Sequence, residues 1–337
     1  MKYAAAVSTL VCAALAQPAL AQIERSTMLG VAPSVLKVEA VSAEGRFQLG
    51  SGVVVRRGKV ITNCHVTRKA QRIDVVRAGV RWPVARQSTD IDKDLCLLDV
   101  PRLEGEGVPI GRSLELKPAQ DVVALGYTGG VGVQLSDGDV VALHPYRGSA
   151  VVQTSNWFSS GASGGGLFNA AGELIGILTF RLRGGSKHYF AAPADWALAM
   201  LDDEARFAAV APIAGQSYWE LPIDSQPYFL QAAALEQGRQ WEALDQLALR
   251  WMREEPGDPE PLHLRGVARE ALGETDAAQR HYKQSLVLDP GYSRSWARLA
   301  YLYKREGQLG EARSAIAKLA ALDPKQAREI AAELEKP

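Results

Sequence analysis

The chain has 337 residues, 47% hydrophobic and 23% charged, which suits a globular protein with a real core; the length predicts two domains at about 150 residues each. Lys+Arg and Asp+Glu both total 38, so the formal net charge is zero and no basic surplus points to nucleic acid or an anionic membrane. Past the N-terminal segment no stretch approaches about 18 uninterrupted apolar residues, so no membrane span is expected in the mature protein.

Residues 1–21 read as a secretory signal peptide. Lys2 gives the positive start, Tyr3 to Ala16 is an apolar run too short for an anchor, and Ala19-Leu20-Ala21 is an A-x-A cleavage site before Gln22. The competing reading is a buried N-terminal helix. A signal places the protein in the bacterial periplasm or outside the cell. Cleavage leaves two cysteines, Cys64 and Cys96. In an oxidising compartment an even pair suggests a disulfide, and two small buried thiols are the other reading. Two cysteines without a nearby His pair predict no metal site.

From about residue 30 to 193 the pattern is short strands and turns. Gly50-Ser51-Gly52-Val53-Val54-Val55, then Arg56-Arg57-Gly58-Lys59, then Val60-Ile61-Thr62 reads strand, turn, strand. Further strands are predicted at 94–100, 121–125, 174–180 and 189–192, each bounded by Gly, Pro, Asp or Asn. This spacing predicts an antiparallel barrel or sandwich. Residues 194–202 read as one closing helix behind Pro193. Residues 205–226, with Pro212, Gly215 and Pro222, read as a linker between a first domain at 22–204 and a second at 227–337.

From residue 227 the period turns helical, and Ala, Leu, Glu, Gln and Arg dominate. Gly273 and Gly307 lie 34 residues apart, as do Pro290 and Pro324, with Pro256 another 34 upstream. This resembles the tetratricopeptide repeat, a helix–turn–helix unit. The first unit fits less well, because Gly238 sits one residue early. Lys325 to Glu335 is predicted to cap the open face of the last unit.

Three segments of the first domain carry the chemistry. Ser163 lies in Gly161-Ala162-Ser163-Gly164-Gly165, where the glycines let the backbone approach a substrate carbonyl and turn the Gly161 and Ser163 amides toward a developing oxyanion. A serine hydroxyl is a poor nucleophile without a base. His65 supplies one at the end of a predicted buried strand. Asp94, ahead of the apolar run Leu95-Cys96-Leu97-Leu98, can be buried where it accepts the imidazole N–H and fixes the tautomer. Asp92 and Asp99 compete for that role.

These segments, in the order His–Asp–Ser, resemble the bacterial trypsin-like serine peptidases of the HtrA (Deg) type. The likeness covers about residues 30 to 200 and extends to Gly126-Tyr127, Gly172-Glu173-Leu174-Ile175-Gly176-Ile177 and Phe190-Ala191-Ala192-Pro193. It implies a double six-stranded β-barrel, with His65 and Asp94 from the first barrel, Ser163 from the second and the site between them. It further implies a substrate pocket at Trp157 and Phe158, faced by Leu178, Thr179 and Phe180. With no Asp at its base, strict Lys/Arg preference is not expected. Trp157 pointing inward favours small apolar side chains; the other reading packs it into the barrel core. Repeats stand here where the family carries PDZ domains, Gly166 replaces the usual proline or alanine, and the short N-terminal arm does not carry over the family's trimer.

The expectation is a multidomain protein, an all-β double barrel followed by an all-α repeat domain. It acts as a serine endopeptidase on unfolded proteins or peptides and needs no cofactor. The repeats recruit a substrate or adaptor, or pack on the peptidase as a brake. Gly161-Ala162-Ser163-Gly164-Gly165 also fits the G-x-S-x-G elbow of esterases, but the upstream base and the strand that follows argue against that fold. The remaining alternative is a catalytically silent scaffold that works through its repeats.

Overall fold

The structure, a computed structural model, describes residues 23–130, 132–182 and 188–335. The expected signal peptide and the start at Gln22 lie outside the described residues.

After a short helix, α1 (Arg25–Val31), come β1 (Val35–Val41), β2 (Phe47–Arg56) and β3 (Lys59–Asn63). The β2–β3 turn needs a left-handed residue, and Gly58 supplies it at φ +70°. One helical turn, α2 (Cys64–Thr67), then leads to β4 (Arg72–Arg77), β5 (Val80–Pro83), β6 (Arg86–Asp90) and β7 (Leu95–Asp99). The strands form an antiparallel sheet in the order β6-β7-β3-β2-β1-β4-β5. Strand β7 is buried along its whole length between β3 and β6, which explains its unbroken apolar run. The sheet curls without a closing ladder. Its edges are drawn together where the Val84 amide donates to Ile73 (2.9 Å) and the Ala85 amide to Asp99 (2.8 Å).

The second β unit contains β8 (Asp121–Thr128), β9 (Gly132–Tyr146), β10 (Ser149–Thr154), β11 (Gly166–Phe168), β12 (Leu174–Arg181) and β13 (Tyr189–Pro193). It closes as a six-stranded barrel, β10-β13-β12-β11-β8-β9. Strand β9 was not among the predicted strands. Its alternation is broken by Gly138 and Pro145, and two full ladders hold it instead. At Gly166 a Cβ would lie 2.4 Å from the Phe168 ring, so the third glycine makes room for a core phenyl. The predicted closing helix is a 3₁₀ turn at Ala194–Ala197 followed by α3 (Leu198–Leu201).

The segment expected as a linker does not cross solvent. Its β14 (Ala208–Ala209) pairs with β6, the Ile213 amide donates to Arg68 (2.7 Å), and the Tyr218 amide to Asp92 (3.0 Å). Beyond it, α4 (Tyr228–Gln237), α5 (Trp241–Glu254), α6 (Glu260–Ala271), α7 (Thr275–Leu288), α8 (Ser293–Arg305) and α9 (Leu309–Ala320) make three helical hairpins, and α10 (Pro324–Leu334) covers the last. Gly273 and Gly307 sit in the hairpin turns at φ +80° and +72°. The equivalent position in the first hairpin is Arg239, at φ +52°, whereas Gly238 is right-handed at φ −75°. The early glycine therefore leaves an arginine in the strained position.

The repeats are packed onto the second barrel. One continuous core runs from Leu125, Val151 and Phe190 of the barrel into Phe229 and Leu230 of α4, Leu244 and Leu247 of α5, and Leu264 of α6. At its rim the buried His144 of β9 stacks on Phe229, with ring centroids 4.5 Å apart. His144 Nδ1 lies 3.0 Å from the Glu260 carboxylate, which also accepts from Arg294 at 3.0 Å. Burial alone would raise the Glu260 carboxyl, but His144 and Arg294 hold it down at about 2.

Two predictions follow from this arrangement. Arg239→Gly should raise stability by about 0.5–1 kcal/mol by removing left-handed strain, read as a higher denaturant midpoint; an unchanged midpoint counts against it. Glu260→Gln should cost about 3 kcal/mol or more by leaving buried charge unpaired. Because Glu260 is depressed in the folded state, its contribution is present above about pH 4.5 and is lost as pH falls toward 2. Asp258, pushed up to about 6 by burial, has the opposite sign at higher pH, so the loss is read below about pH 4. Melting curves of the variant should show a smaller drop than the wild type in that window, where Glu39, Glu220 and Asp245, also held below their ordinary values, contribute the remainder.

Candidate active site

Strand β3 ends at Asn63, and His65 follows on the helical turn α2. Asp94 stands just before β7, in the left-handed region at φ +58°, a conformation that aspartate tolerates better than most residues. It is fully buried. Its Oδ1 accepts the His65 backbone N–H at 2.8 Å, and its Oδ2 lies 2.6 Å from His65 Nδ1. A proton on Nδ1 leaves Nε2 as the basic nitrogen. The Asp94 carbonyl accepts from the Cys64 amide (3.2 Å) and the Asn63 side chain (3.0 Å). Cys64 and Cys96, on either side of this pair, are joined by a disulfide with Cα atoms 5.0 Å apart. Of the competing carboxylates, Asp99 pairs with Lys59 and Arg86, and Asp92 with Arg147.

Ser163 comes from the loop between β10 and β11. Its carbonyl accepts the Ser51 amide at 2.7 Å, which sets the loop against β2 of the first unit. Asn63, two residues before His65, donates to the Thr179 hydroxyl at 3.2 Å, and the Ser163 hydroxyl donates to the Thr179 carbonyl at 3.3 Å. Thr179 thus links the residue two before His65 to Ser163, and no direct hydrogen bond joins His65 and Ser163 among the described residues.

Gly161 adopts φ +96°, and a Cβ there would lie 2.4 Å from the Tyr127 carbonyl. Its preceding carbonyl, on Ser160, accepts from the Gly129 amide at 2.9 Å. The Gly161 and Ser163 amides take no hydrogen bond among the described residues, while those of Ala162, Gly164 and Gly165 are engaged within the protein. Two free donors on one loop suit a developing negative charge. Ser51 fixes that loop from across the cleft: its hydroxyl donates to the Gly161 carbonyl (2.7 Å) and accepts from the Tyr127 amide (2.8 Å).

Beside this loop lies a cavity of about 280 Å³, lined by uncharged residues that include Gly126, Leu135, Ser136, Trp157, Phe158, Ala162 and Leu178. Trp157 is 54% exposed at its mouth and not in the barrel core, whereas Phe158 is buried against Tyr189. Thr179 and Phe180 do not line the cavity. The Thr179 hydroxyl serves Asn63, and Phe180 stacks on Phe190 and Trp219. Among the described residues no group of three or more His, Cys, Asp or Glu side chains could hold a metal ion.

Ser51, Asn63 and Trp219 also shape the site, without a catalytic signature of their own in the sequence. The first two lay inside recognised motifs, and their positions were the available signal. Trp219 donates its indole N–H to Asp94 Oδ2 at 3.0 Å from a segment read as a linker, and no local pattern announces that contact.

The fold is a trypsin-like β-barrel-type domain followed by a helical region. Residues 50–177 match the family described as trypsin-like peptidase domain, and residues 270–334 match the tetratricopeptide repeat. The chain is similar to the chloroplastic Protease Do-like 1 of Arabidopsis thaliana, 33% identical over 182 residues, covering 49% of this chain and 42% of that protein. It is also similar to a probable periplasmic serine endoprotease, DegP-like, of a Marinomonas species, 35% identical over 171 residues, covering 47% and 35%. The chain thus spans less than half the length of these relatives. Among solved structures, the active form of the Rv3671c protease from M. tuberculosis shares the fold, with a TM-score of 0.51 and 22% identity over 60% of this chain and 91% of that one.

Ser51→Ala should cost about 1–3 kcal/mol, because the Gly161 carbonyl and the Tyr127 amide both lose their partner. Chemical denaturation of the full chain measures this, and a loss below about 0.5 kcal/mol would show that water replaces the hydroxyl.

Proposed function

We propose that the protein is a serine endopeptidase. Ser163 attacks the peptide carbonyl, and His65 takes the hydroxyl proton and returns it to the leaving amine. Asp94 holds the imidazole, and the Gly161 and Ser163 amides stabilise the tetrahedral oxyanion. The observations that carry this reading are the 2.6 Å contact between His65 and the buried Asp94 and a serine loop with two unengaged amides. The names of the relatives, one a protease and one a probable serine endoprotease, support it. The uncharged cavity supports cleavage after uncharged side chains and not after Lys or Arg.

Residues 1–21 act as a signal peptide, residues 22–204 form the peptidase domain, residues 205–226 connect, and residues 227–337 form the repeat domain. The protein works in the periplasm or outside the cell. A relative described as periplasmic supports that placement, and no described helix is long and apolar enough to cross a membrane. The substrates are unfolded proteins or peptides, and the repeats offer a surface for a protein partner.

Degradation of unfolded casein by residues 22–337, with fluorophosphonate labelling, tests the proposal. Ser163→Ala should abolish both signals. Asp94→Asn keeps a residue that tolerates the left-handed backbone and should lower turnover roughly 10³- to 10⁴-fold. A folded wild type that neither labels nor cleaves supports the silent scaffold instead.

A further inference from the structure

The segment that precedes the repeats reaches the His65–Asp94 pair and completes its surroundings. Tyr218 is fully buried, with its ring centroid 5.2 Å from that of Tyr146. Glu220 forms a two-pronged ion pair with Arg68, one arm at 2.7 Å, and accepts the Ser217 amide at 3.1 Å. Burial would raise the Glu220 carboxyl, but the Arg68 guanidinium lowers it. Between these two anchors Trp219 has little freedom. Its indole N–H donates to Asp94 Oδ2 at 3.0 Å, the oxygen that also meets His65 Nδ1. Its ring stands edge-on to the imidazole, with centroids 5.5 Å apart at 86°, and stacks on Phe180 at 4.9 Å.

We infer that Trp219 is a positioning residue of the peptidase, supplied by the connection to the repeats. Resting on the endopeptidase reading, this assigns a role in catalysis to the segment between the two domains. The physical case has three parts. Asp94 is fully buried, so each lone-pair direction facing the protein needs a donor. The His65 backbone and imidazole both donate from one side, and the indole donates from another element, which fixes the carboxylate plane instead of leaving it to follow the ring. The edge-on contact in turn limits tilting of the imidazole. Trp219 does not line the uncharged cavity beside Ser163, so it braces the pair without filling that cavity.

The brace is tied to the repeats. The Trp219 carbonyl accepts from the Gln226 side chain (2.9 Å), and the Gln226 carbonyl accepts from Gln231 of α4 (2.7 Å). The indole donor therefore depends on how α4 is seated.

The test uses the full chain from residue 22. Trp219→Phe keeps an aromatic ring for Phe180 and removes the donor. It should lower kcat about ten- to hundredfold with KM within about twofold, the size expected for losing one hydrogen bond to a charged group. In proton spectra the His65 Nδ1–H resonance should move in the same variant. Glu220→Gln, which loosens the anchor and keeps the indole, should give a smaller change of the same kind. An unchanged kcat in a folded Trp219→Phe protein overturns the proposal. So does a raised kcat, which would make the segment an obstruction. Should Trp219→Phe fail to fold, Asp94→Asn decides: the wild-type indole Nε1–H signal should exchange slowly with solvent and shift in that variant, and an unmoved signal overturns the inference. That spectrum is readable without proteolysis. A chain that shows the indole shift but no fluorophosphonate labelling would refute the endopeptidase reading and leave the indole–carboxylate contact standing.

Discussion

Asp94 is completely buried, and a carboxylate without water must be given donors by the protein. Those donors come from distant parts of the chain: the backbone and ring of His65, and the indole of Trp219. The conformation of Asp94 answers to the same demand. Its positive φ turns the carbonyl toward Cys64 and Asn63 while the side chain points at His65. A left-handed aspartate costs some backbone energy, and the number of contacts that depend on it explains why the strain is kept. The disulfide between Cys64 and Cys96 ties the residues flanking this pair, so the turn α2 and strand β7 cannot drift apart.

The cleft is set by contacts that cross between the two β units. Ser51 bonds both sides of the serine loop, through its amide to the Ser163 carbonyl and its hydroxyl to the Gly161 carbonyl. Glycines at 161 and 164 are required for distinct reasons. Gly161 turns the loop through a left-handed step under the Tyr127 carbonyl, and a Cβ on Gly164 would strike the Ser51 carbonyl at 2.0 Å. The glycine-rich motif is thus a packing solution between two sheets as well as a chemical one.

The helical repeats share a core with the second barrel and are not a loosely tethered module. Buried apolar area does most of the joining, and the His144–Glu260–Arg294 group fixes the register at the rim. A buried charged cluster is a poor source of net stability, but it penalises misalignment heavily because each partner lost leaves an unpaired charge. The path from α4 through Gln231, Gln226 and Trp219 to Asp94 is continuous in hydrogen bonds. The seating of the repeats and the geometry of the pair are therefore parts of one structure.

The sequence by itself determined the elements whose signals are local. Strands β2, β3, β7 and β12 were legible because turn residues bracket apolar runs, and the helical hairpins because Gly273 and Gly307 keep a fixed spacing. His65, Asp94 and Ser163 were legible as candidates because each sits in a short motif of recognisable chemistry. Tertiary structure decided what depends on residues far apart in the chain. Strand β9 alternates too weakly to be read alone and exists because two ladders hold it. His144 and Glu260 are 116 residues apart, and Asp94 and Trp219 are 125 apart, and neither pairing leaves a trace in the local pattern. Composition around Pro212, Gly215 and Pro222 signals a break in periodicity, but a break in period says nothing about docking. Whether such a segment spans solvent or lies in a site is settled by the surface it meets, and here that surface includes a buried carboxylate short of a donor.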